Sequence, residues 1–196
     1  QYVLPPLLAS FIGKFPQVNL SLLNGNSREI EAALQEHRID LGFVEGVFRL
    51  PNIKYTTFLE DELVAVVRTG SRLTVGEEIT PEELLHLPLV LRERGSGTLD
   101  VFERALQQHN IKLSSLQVLM YLGSTESIKL FLEHTDCLGI VSIRSITREL
   151  YSGQLRVVEI KGMPMLRDFS FAQPQGQESG LAQVFMQFAM HNNNKL

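Results

Sequence analysis

The order of apolar and polar residues predicts helices and strands that alternate almost from end to end of the chain. Near the start, Leu4, Leu8, Phe11 and Phe15 recur at the spacing of one helical face. Strands are predicted over 18–23, 39–46, 53–68, 87–93, 116–122, 137–143, 155–160 and 167–173, and helices over 4–15, 27–37, 98–110, 124–134, 145–153 and 178–191. Alternation of this kind favours βαβ crossovers, mostly parallel sheets and an α/β fold.

A further helix start is predicted at Thr80. This residue can accept a hydrogen bond from the backbone, and Pro81 suits the first helical position. Glu83 can reach back to the backbone N–H of Thr80, which completes a capping box.

One arrangement of strand, turn and helix recurs three times. "VNLSLL" leads through "NGNS" into "REIEAALQE", "PLVLRER" leads through "GSGT" into "LDVFERALQQ", and "QVLMYL" leads through "GST" into "ESIKLFLE". The N-terminus of a helix offers unpaired N–H groups and the positive end of its dipole, which favour anions. In an open α/β sheet such turns lie at the carboxyl ends of the strands, where ligands bind. The three turns therefore predict a binding site for a small ligand.

Each of these turns also has a purely structural explanation. Serine, threonine, asparagine and glycine are the usual N-cap residues, so any single turn of this kind can serve only its own helix. The functional interpretation requires that the fold bring the turns together.

Basic side chains near the turns favour an anionic ligand. Arg28, Arg92, Arg94 and Lys129 lie within a few residues of them. Pairing with neighbouring glutamates is the alternative explanation for each of these charges.

Other kinds of site find little support. "GSGTLD" lacks the third glycine of a dinucleotide fingerprint, because Asp100 stands at that position, and no phosphate-binding P-loop motif occurs. The histidines show no metal-ligand spacing, and the single cysteine, Cys137, lies in an apolar run that predicts a buried thiol. The carboxylates Glu45, Glu60, Asp61 and Glu62 flank strands and are expected at solvated edges. We therefore expect no enzyme activity, no metal and no cofactor.

Composition and charge narrow the function further. The 196 residues can form one sizeable core or two small lobes. The net charge is −4 and the basic residues are scattered, which argues against DNA binding by this chain alone. No apolar run approaches the length that spans a membrane.

Several motifs in order resemble the effector-binding domain of LysR-type transcriptional regulators. They are "YVLPPLLASFIGKFPQVNLSLLNGNSREIEAALQEHRIDLGFVEG", "FLEDELVAVV", "ITPEELLHLPLVLRERGSGT", "LGSTESIKLFLEHTDCLGIVSI" and "ELYSGQLRVVEIKG". The resemblance implies a periplasmic-binding-protein-like fold (type 2) of two Rossmann-like lobes. Lobe I would hold 1–66 plus 163–196 and lobe II 67–162, with a hinge near 64–68 and 159–163.

The resemblance also implies a function. Members of this family bind a small effector in the cleft between lobes and so modulate DNA binding and transcription by the full-length protein. They form homodimers or tetramers, act in the cytoplasm and contact DNA through an N-terminal domain, which we expect to be missing from this chain. By position, the implied effector-binding residues are Asn26, Ser27, Ser96, Gly97, Thr98, Ser124, Thr125 and Glu126.

Two departures from the family pattern accompany the resemblance. The chain starts after the first strand and hydroxyl-rich loop of the family, so one wall of the pocket is expected to be absent. Asp136 and Cys137 stand where the family usually has glycine, which we expect to change a turn with little effect on the ligand. A solute-binding receptor of a transport system with the same fold is the alternative function, and an enzyme on this scaffold is a third.

Overall fold

The computed structural model describes residues 2–47, 49–73, 76–176 and 180–192. Its helices are α1 Leu4–Lys14, α2 Ser27–Gln35, α3 Gly97–Gln108, α4 Thr125–His134, α5 Thr147–Tyr151 and α6 Gly180–Asn192. Its strands are β1 Gly42–Glu45, β2 Ile53–Arg68, β3 Glu78–Ile79, β4 Pro88–Arg92, β5 Gln117–Leu122, β6 Leu138–Ser142, β7 Leu155–Ile160 and β8 Leu166–Pro174. Short 3-10 helices cover Pro81–His86, Leu113–Ser115 and Ile143–Ser145. The predicted start of the last helix, at Glu178, lies outside the described residues.

The chain divides into two compact units. Unit 1 comprises Gln1–Glu60 and Asp168–Leu196, and unit 2 comprises Asp61–Arg167. The long strand β2 begins in unit 1 and ends in unit 2. The lobe boundaries expected from the resemblance fall a few residues inside unit 2, and the hinge positions stay a prediction.

Unit 1 is built on a short sheet with helices on both faces. Strand β8 pairs antiparallel with β1, with Gly42 opposite Ala172, and also neighbours β2. On one face, Phe11 of α1 and Phe171 of β8 are fully buried in an aromatic core. The Phe11 ring packs edge-on against the Phe185 ring of α6, at 5.1 Å between centroids. This core holds α1 and α6 against the sheet.

On the other face of unit 1, α2 lies directly against the backbone of β1. A Cβ atom added at Gly42 would come within 2.8 Å of Leu34 Cδ1 and 3.0 Å of Ile30 Cγ2. Only glycine therefore allows α2 this close approach.

Unit 2 contains a mixed sheet. Strands β5, β4 and β6 run parallel to one another, and β3 runs parallel to β7. The second half of β2 pairs antiparallel with both β6 and β7. The expectation of mostly parallel sheets was therefore wrong for β2 and β8. Alternation of strands with helices predicts crossover connections, which give parallel pairing. Strands β2 and β8 instead pass from one unit to the other, and their direction does not follow from the alternation.

Helix α4 of unit 2 repeats the packing of α2 in unit 1. A Cβ atom at Gly139 of β6 would lie 2.9 Å from Leu132 Cδ1 and 3.0 Å from Ile128 Cγ2, and both of those side chains are fully buried. The glycine again sets the distance between helix and sheet.

Two local predictions differ from the structure. Residues 18–23 form no strand, and Leu20, Leu22 and Leu23 are 39%, 52% and 44% exposed. A strand needs a neighbouring strand for its hydrogen bonds, and none of the described strands pairs with this segment. The segment after Thr80 forms a 3-10 helix, although Glu83 Oε2 does accept from the Thr80 N–H at 2.7 Å, as the capping box predicts.

Asp136, one of the two departures from the family pattern, fastens a neighbouring turn. Its Oδ1 accepts from Arg68 Nη2 at 2.7 Å, from the Ser71 hydroxyl at 2.9 Å and from the Arg72 N–H at 3.1 Å. The backbone bond from Arg72, followed by the Ser71 and Arg68 side chains, lowers the pKa of this carboxyl. The carboxylate thus ties the turn before β6 to the end of β2.

In unit 1, Tyr55 makes polar contacts with two other segments of the chain. Its hydroxyl donates to Glu31 Oε1 at 2.6 Å, and the Arg49 guanidinium lies 4.5 Å from the centre of its ring. Burial, together with the hydrogen bond to Glu31, raises the pKa of Tyr55 to about 12.

Cys137 is expected to resist thiol reagents in the folded chain. The side chain is fully buried, and burial followed by the charge of Asp136 raises its pKa to about 11. Because the thiolate is the reactive form, a disulfide reagent such as DTNB should release no colour from the native chain and one equivalent after denaturation. Rapid release from native protein at neutral pH would contradict the burial of this thiol.

Candidate functional site

Two of the predicted turns lie side by side at one edge of unit 2. Strands β4 and β5 are parallel neighbours, so their carboxyl ends meet at the same edge. The Glu93 N–H donates to Leu122 O at 3.2 Å, which joins the turn after β4 to the end of β5. Strand β6 is also parallel to β4, and its carboxyl end leads into the 3-10 helix Ile143–Ser145. We call these three turns the carboxyl edge of unit 2.

Ser96, Gly97 and Thr98 start helix α3 at this edge, and all three are buried. The Ser96 hydroxyl accepts from the Leu99 N–H at 3.2 Å, so Ser96 is the N-cap. The Thr98 hydroxyl accepts from Arg167 Nη1 at 2.9 Å. The turn therefore caps helix α3 and also takes part in a network of side-chain hydrogen bonds.

That network joins charged groups from distant parts of unit 2. Asp61 Oδ2 accepts from Arg167 Nε at 2.8 Å, and its Oδ1 accepts from the Ser142 hydroxyl at 2.8 Å. Arg144 Nε lies 3.8 Å from the same Oδ1. The Asp61 and Arg167 side chains are 0% and 2% exposed, so their ion pair is shielded from water. Buried charges are tolerated only with such partners.

Ser124, Thr125 and Glu126 start helix α4 at the same edge. The Ser124 hydroxyl accepts from the Ser127 N–H at 3.1 Å and is its N-cap. Glu126 Oε1 lies 2.9 Å from Lys129 Nζ, which also donates to Glu149 Oε1 at 2.8 Å. These contacts give Glu126 a structural role in anchoring Lys129.

Asn26 and Ser27 lie at the start of α2 in unit 1. Asn26 forms a capping box with Glu29: Asn26 Oδ1 accepts from the Glu29 N–H at 3.1 Å, and Glu29 Oε2 accepts from the Asn26 N–H at 2.8 Å. The Ser27 hydroxyl donates to Glu45 O at 2.7 Å. Both side chains thus have structural roles, and effector contact by them stays a prediction.

The basic residues near the turns fall into two groups. Arg92 forms a bidentate pair with Glu93, at 2.8 and 3.1 Å, and Lys129 pairs with two glutamates, as the alternative explanation expected. Arg28 and Arg94 are exposed. The positive charge that contacts the Thr98 hydroxyl belongs instead to Arg167, a residue that none of the sequence patterns near the turns indicated.

Asp61 was expected at a solvated edge, and that expectation was wrong. Residues of β2 alternate between the faces of the strand, and Asp61 lies on the buried face with Leu63, Ala65 and Val67. Glu60 and Glu62 lie on the exposed face. The period-two pattern, read through the acidic run, would have placed Asp61 inside.

No three His, Cys, Asp or Glu side chains in the described part of the chain lie close enough to hold a metal ion. Every helix in that part is too short or too polar to cross a bilayer.

Comparison with known proteins decides the family. The profile described as "LysR substrate binding domain" matches residues 1–193. This chain belongs to the LysR substrate-binding-domain family. The family assignment confirms the resemblance seen in the sequence, and with it the α/β, periplasmic-binding-protein-like (type 2) fold.

Related LysR regulators are longer than this chain. The HTH-type transcriptional regulator YeiE of Escherichia coli (strain K12) is 35% identical over 159 residues, which cover 81% of this chain and 53% of that protein. The HTH-type transcriptional activator CmpR of Synechocystis is 30% identical over 189 residues, covering 96% of this chain and 61% of that protein. This LysR chain therefore spans less than two thirds of either relative. Both relatives are named as HTH-type transcriptional regulators.

Solved structures agree with the family assignment. The regulatory domain of Synechocystis CcmR, in complex with 2-PG, aligns at a TM-score of 0.84 with 26% identity, over 97% of this chain and 90% of that one. The effector-binding domain of QuiR, in complex with shikimate, aligns at 0.84 with 18% identity, over 99% and 91% of the two chains. The second likeness shows the fold alone.

Proposed function

We propose that this LysR domain senses a small anionic effector at the carboxyl edge of unit 2 and so regulates transcription by a longer protein. The observation that carries the proposal is the adjacency of the α3 and α4 N-termini at the ends of parallel strands β4 and β5. Two helix N-termini side by side combine their N–H groups and dipoles against one negative charge. The complex of CcmR with 2-PG supports an effector of small size.

Within this proposal the predicted residues divide by role. Ser96, Gly97, Thr98, Ser124 and Thr125 form the effector-facing edge, with backbone N–H groups and hydroxyls as donors. Glu126 is assigned to anchoring Lys129, because its carboxylate would repel an anion. The effector changes transcription only if it binds one conformation of the full-length protein better than another.

The proposal is tested by ligand-induced stabilisation of the chain. A panel of inorganic sulfate, inorganic phosphate, 2-PG and shikimate is screened by thermal melting at constant ionic strength. A ligand present at a hundred times its Kd should raise the free energy of unfolding by about 2.7 kcal/mol. The T98V variant should lose most of this gain, because it lacks the hydroxyl, whereas T57V, at an exposed position of β2 in unit 1, should keep it. Equal stabilisation of T98V and wild type would place the ligand elsewhere.

The proposal extends to self-association through strand β5. This strand is an edge of its sheet, and Leu119, Met120 and Tyr121 on it are 51%, 45% and 43% exposed. An apolar edge strand is a template for pairing with another chain. A homodimer of the domain would bury it.

Substitution of Met120 by aspartate should therefore convert a dimer into a monomer. The charge would be buried at the interface and left without a partner, which costs more than the contact contributes. Sedimentation velocity measures the mass, and Tyr151, which is 97% exposed on α5, supplies the control Y151D. A wild-type chain that is monomeric at high concentration, or an M120D variant that stays dimeric, would refute this assignment.

The remaining parts of the proposal concern the longer protein. The helix-turn-helix names of YeiE and CmpR support a separate DNA-binding domain in the full-length protein and, with it, a cytoplasmic location. The same relatives favour a regulator over a solute-binding receptor of a transport system.

A further inference from the structure

The buried ion pair between Asp61 and Arg167 lies at both points where the chain passes from one unit to the other. Unit 2 comprises Asp61–Arg167, so the chain enters this unit at the aspartate and leaves it at the arginine. Arg167 Nε donates to Asp61 Oδ2 at 2.8 Å, and both side chains are almost completely buried. The first and last residues of unit 2 are therefore held together by one ion pair that water does not reach.

A backbone hydrogen bond joins the same two strands beside the ion pair. The Leu63 N–H, on β2, donates to Met165 O, just before β8, at 2.9 Å, and both residues are buried. We call residues 61–63 and 165–167 the crossing segments. Because an amide hydrogen exchanges with water only when its hydrogen bond opens, exchange of the Leu63 amide reports the separation of the crossing segments.

The same ion pair is bonded to two turns of the carboxyl edge of unit 2. Arg167 Nη1 donates to the Thr98 hydroxyl at 2.9 Å, in the turn after β4. The Ser142 hydroxyl, at the end of β6, donates to Asp61 Oδ1 at 2.8 Å. A planar guanidinium that is bonded through both Nε and Nη1 has its orientation fixed. A displacement of the Thr98 turn must therefore move Arg167 or break its bond to the hydroxyl.

Separation of the crossing segments would have the reverse effect on these turns. An ion pair buried this deeply is costly to break, since each charge would lose its counter-ion away from water. If it does break, Thr98 and Ser142 lose the bonds that join them to Arg167 and Asp61. Coupling between two events is reciprocal, so a ligand that stabilises the turns must oppose separation of the crossing segments.

From these contacts we propose that the Asp61–Arg167 pair couples effector occupancy of the carboxyl edge to the opening of the crossing segments. A bound effector holds the Thr98 turn, this turn holds Arg167, and the ion pair holds β2 to the start of β8. The inference rests on the proposed effector function and adds the means by which binding at this edge affects both chain crossings. Asp61 and Arg167 are positioning residues, since they act through Thr98 and Ser142.

The test follows hydrogen exchange of the Leu63 amide by NMR, with and without inorganic sulfate at a hundred times its Kd for each variant. In wild type, sulfate should slow this exchange about a hundredfold, because opening of the crossing segments releases the ligand. In D61L/R167M, an apolar pair with no bond to Thr98 or Ser142, the slowing should fall below about fivefold, the lower end of typical couplings. Inorganic phosphate and 2-PG are measured in the same way.

The matched control is R68M/D136L, which removes an ion pair at the opposite end of the unit 2 part of β2. Arg68 Nη2 lies 2.7 Å from Asp136 Oδ1, in the turn before β6. This variant should keep the full slowing by sulfate. A purely structural role of the Asp61–Arg167 pair would change the exchange rate of Leu63 without sulfate, but it would leave the ratio of the two rates unchanged.

Each outcome decides between the two claims. Slowing of about a hundredfold in D61L/R167M would overturn the inference and leave the proposed function intact, and so would a wild-type chain that binds an anion without slower Leu63 exchange. Loss of anion binding itself in D61L/R167M would also overturn the inference, because the pair would then belong to the binding site. If D61L/R167M does not fold, S142A breaks one bond of the network and must reduce the slowing at least about fivefold. A wild-type chain that binds none of the three anions would overturn the proposed function together with the inference.

Discussion

Replacement of Asp61 by leucine should lower the free energy of unfolding by about 3–5 kcal/mol, because it leaves the Arg167 guanidinium buried without its counter-ion. The Asp61 side chain is 0% exposed and accepts bonds from both Arg167 and Ser142, so water cannot replace it without opening unit 2. The measurement is urea denaturation at neutral pH, in which the loss should appear as a lower midpoint with little change in slope.

A second substitution separates the cost of an unpaired charge from the loss of packing. The double variant D61L/R167M should recover most of the stability, since an apolar pair of similar volume carries no desolvation cost. Glu62, the exposed neighbour of Asp61 on β2, provides the matched control E62L, which should change stability by less than about 0.5 kcal/mol. A double variant as unstable as D61L would show that the charge of Arg167 is not the source of the loss.

Substitution of Gly139 by alanine should lower the free energy of unfolding by about 1–3 kcal/mol and weaken effector binding as well. The new methyl group would lie 2.9 Å from Leu132 Cδ1 and 3.0 Å from Ile128 Cγ2, so helix α4 must move away from β6. Because the N-terminus of α4 carries Ser124 and Thr125, that movement shifts part of the carboxyl edge of unit 2, where we propose that the effector binds. Chemical denaturation and calorimetric titration measure the two effects.

Substitution of Gly13 by alanine is the control, and it should change the free energy of unfolding in the opposite direction. A Cβ atom at this position, near the end of α1, would meet no atom within 4 Å. G13A should therefore stabilise the chain by about 0.5–1 kcal/mol, because alanine loses less backbone entropy in a helix. A G139A variant that gained stability in the same way would show that α4 can yield without cost.

The sequence predicted most helices and strands because each carries its own periodic pattern. It also predicted which turns would start helices, since capping residues are a local signal. The prediction of a strand over 18–23 was wrong because a strand depends on a partner, which no local pattern indicates. The prediction of parallel pairing was wrong for β2 and β8 for a similar reason, because their direction depends on pairing with strands that are distant in the sequence.

The candidate site was predicted in part. Ser96, Thr98 and Ser124 lie at helix starts, as predicted, because small hydroxyl residues are a local signal for such positions. Their contact with an effector stays a prediction. Arg167 was missed because it lies 69 positions from Thr98, and only the fold brings the two side chains together. Asp61 was missed because an acidic run obscured its place on the buried face of β2.

Cys137 and Tyr55 give the chain one reporter in each unit. The single cysteine, Cys137, is fully buried in unit 2 and can be labelled only when that unit opens. Its labelling rate therefore measures the opening rate of unit 2. Tyr55, in unit 1, regains an ordinary phenol pKa when its surroundings open, and its ultraviolet absorbance at alkaline pH reports that event. Equal opening rates from the two reporters would mean that the units unfold as one cooperative block, and different rates that they unfold separately.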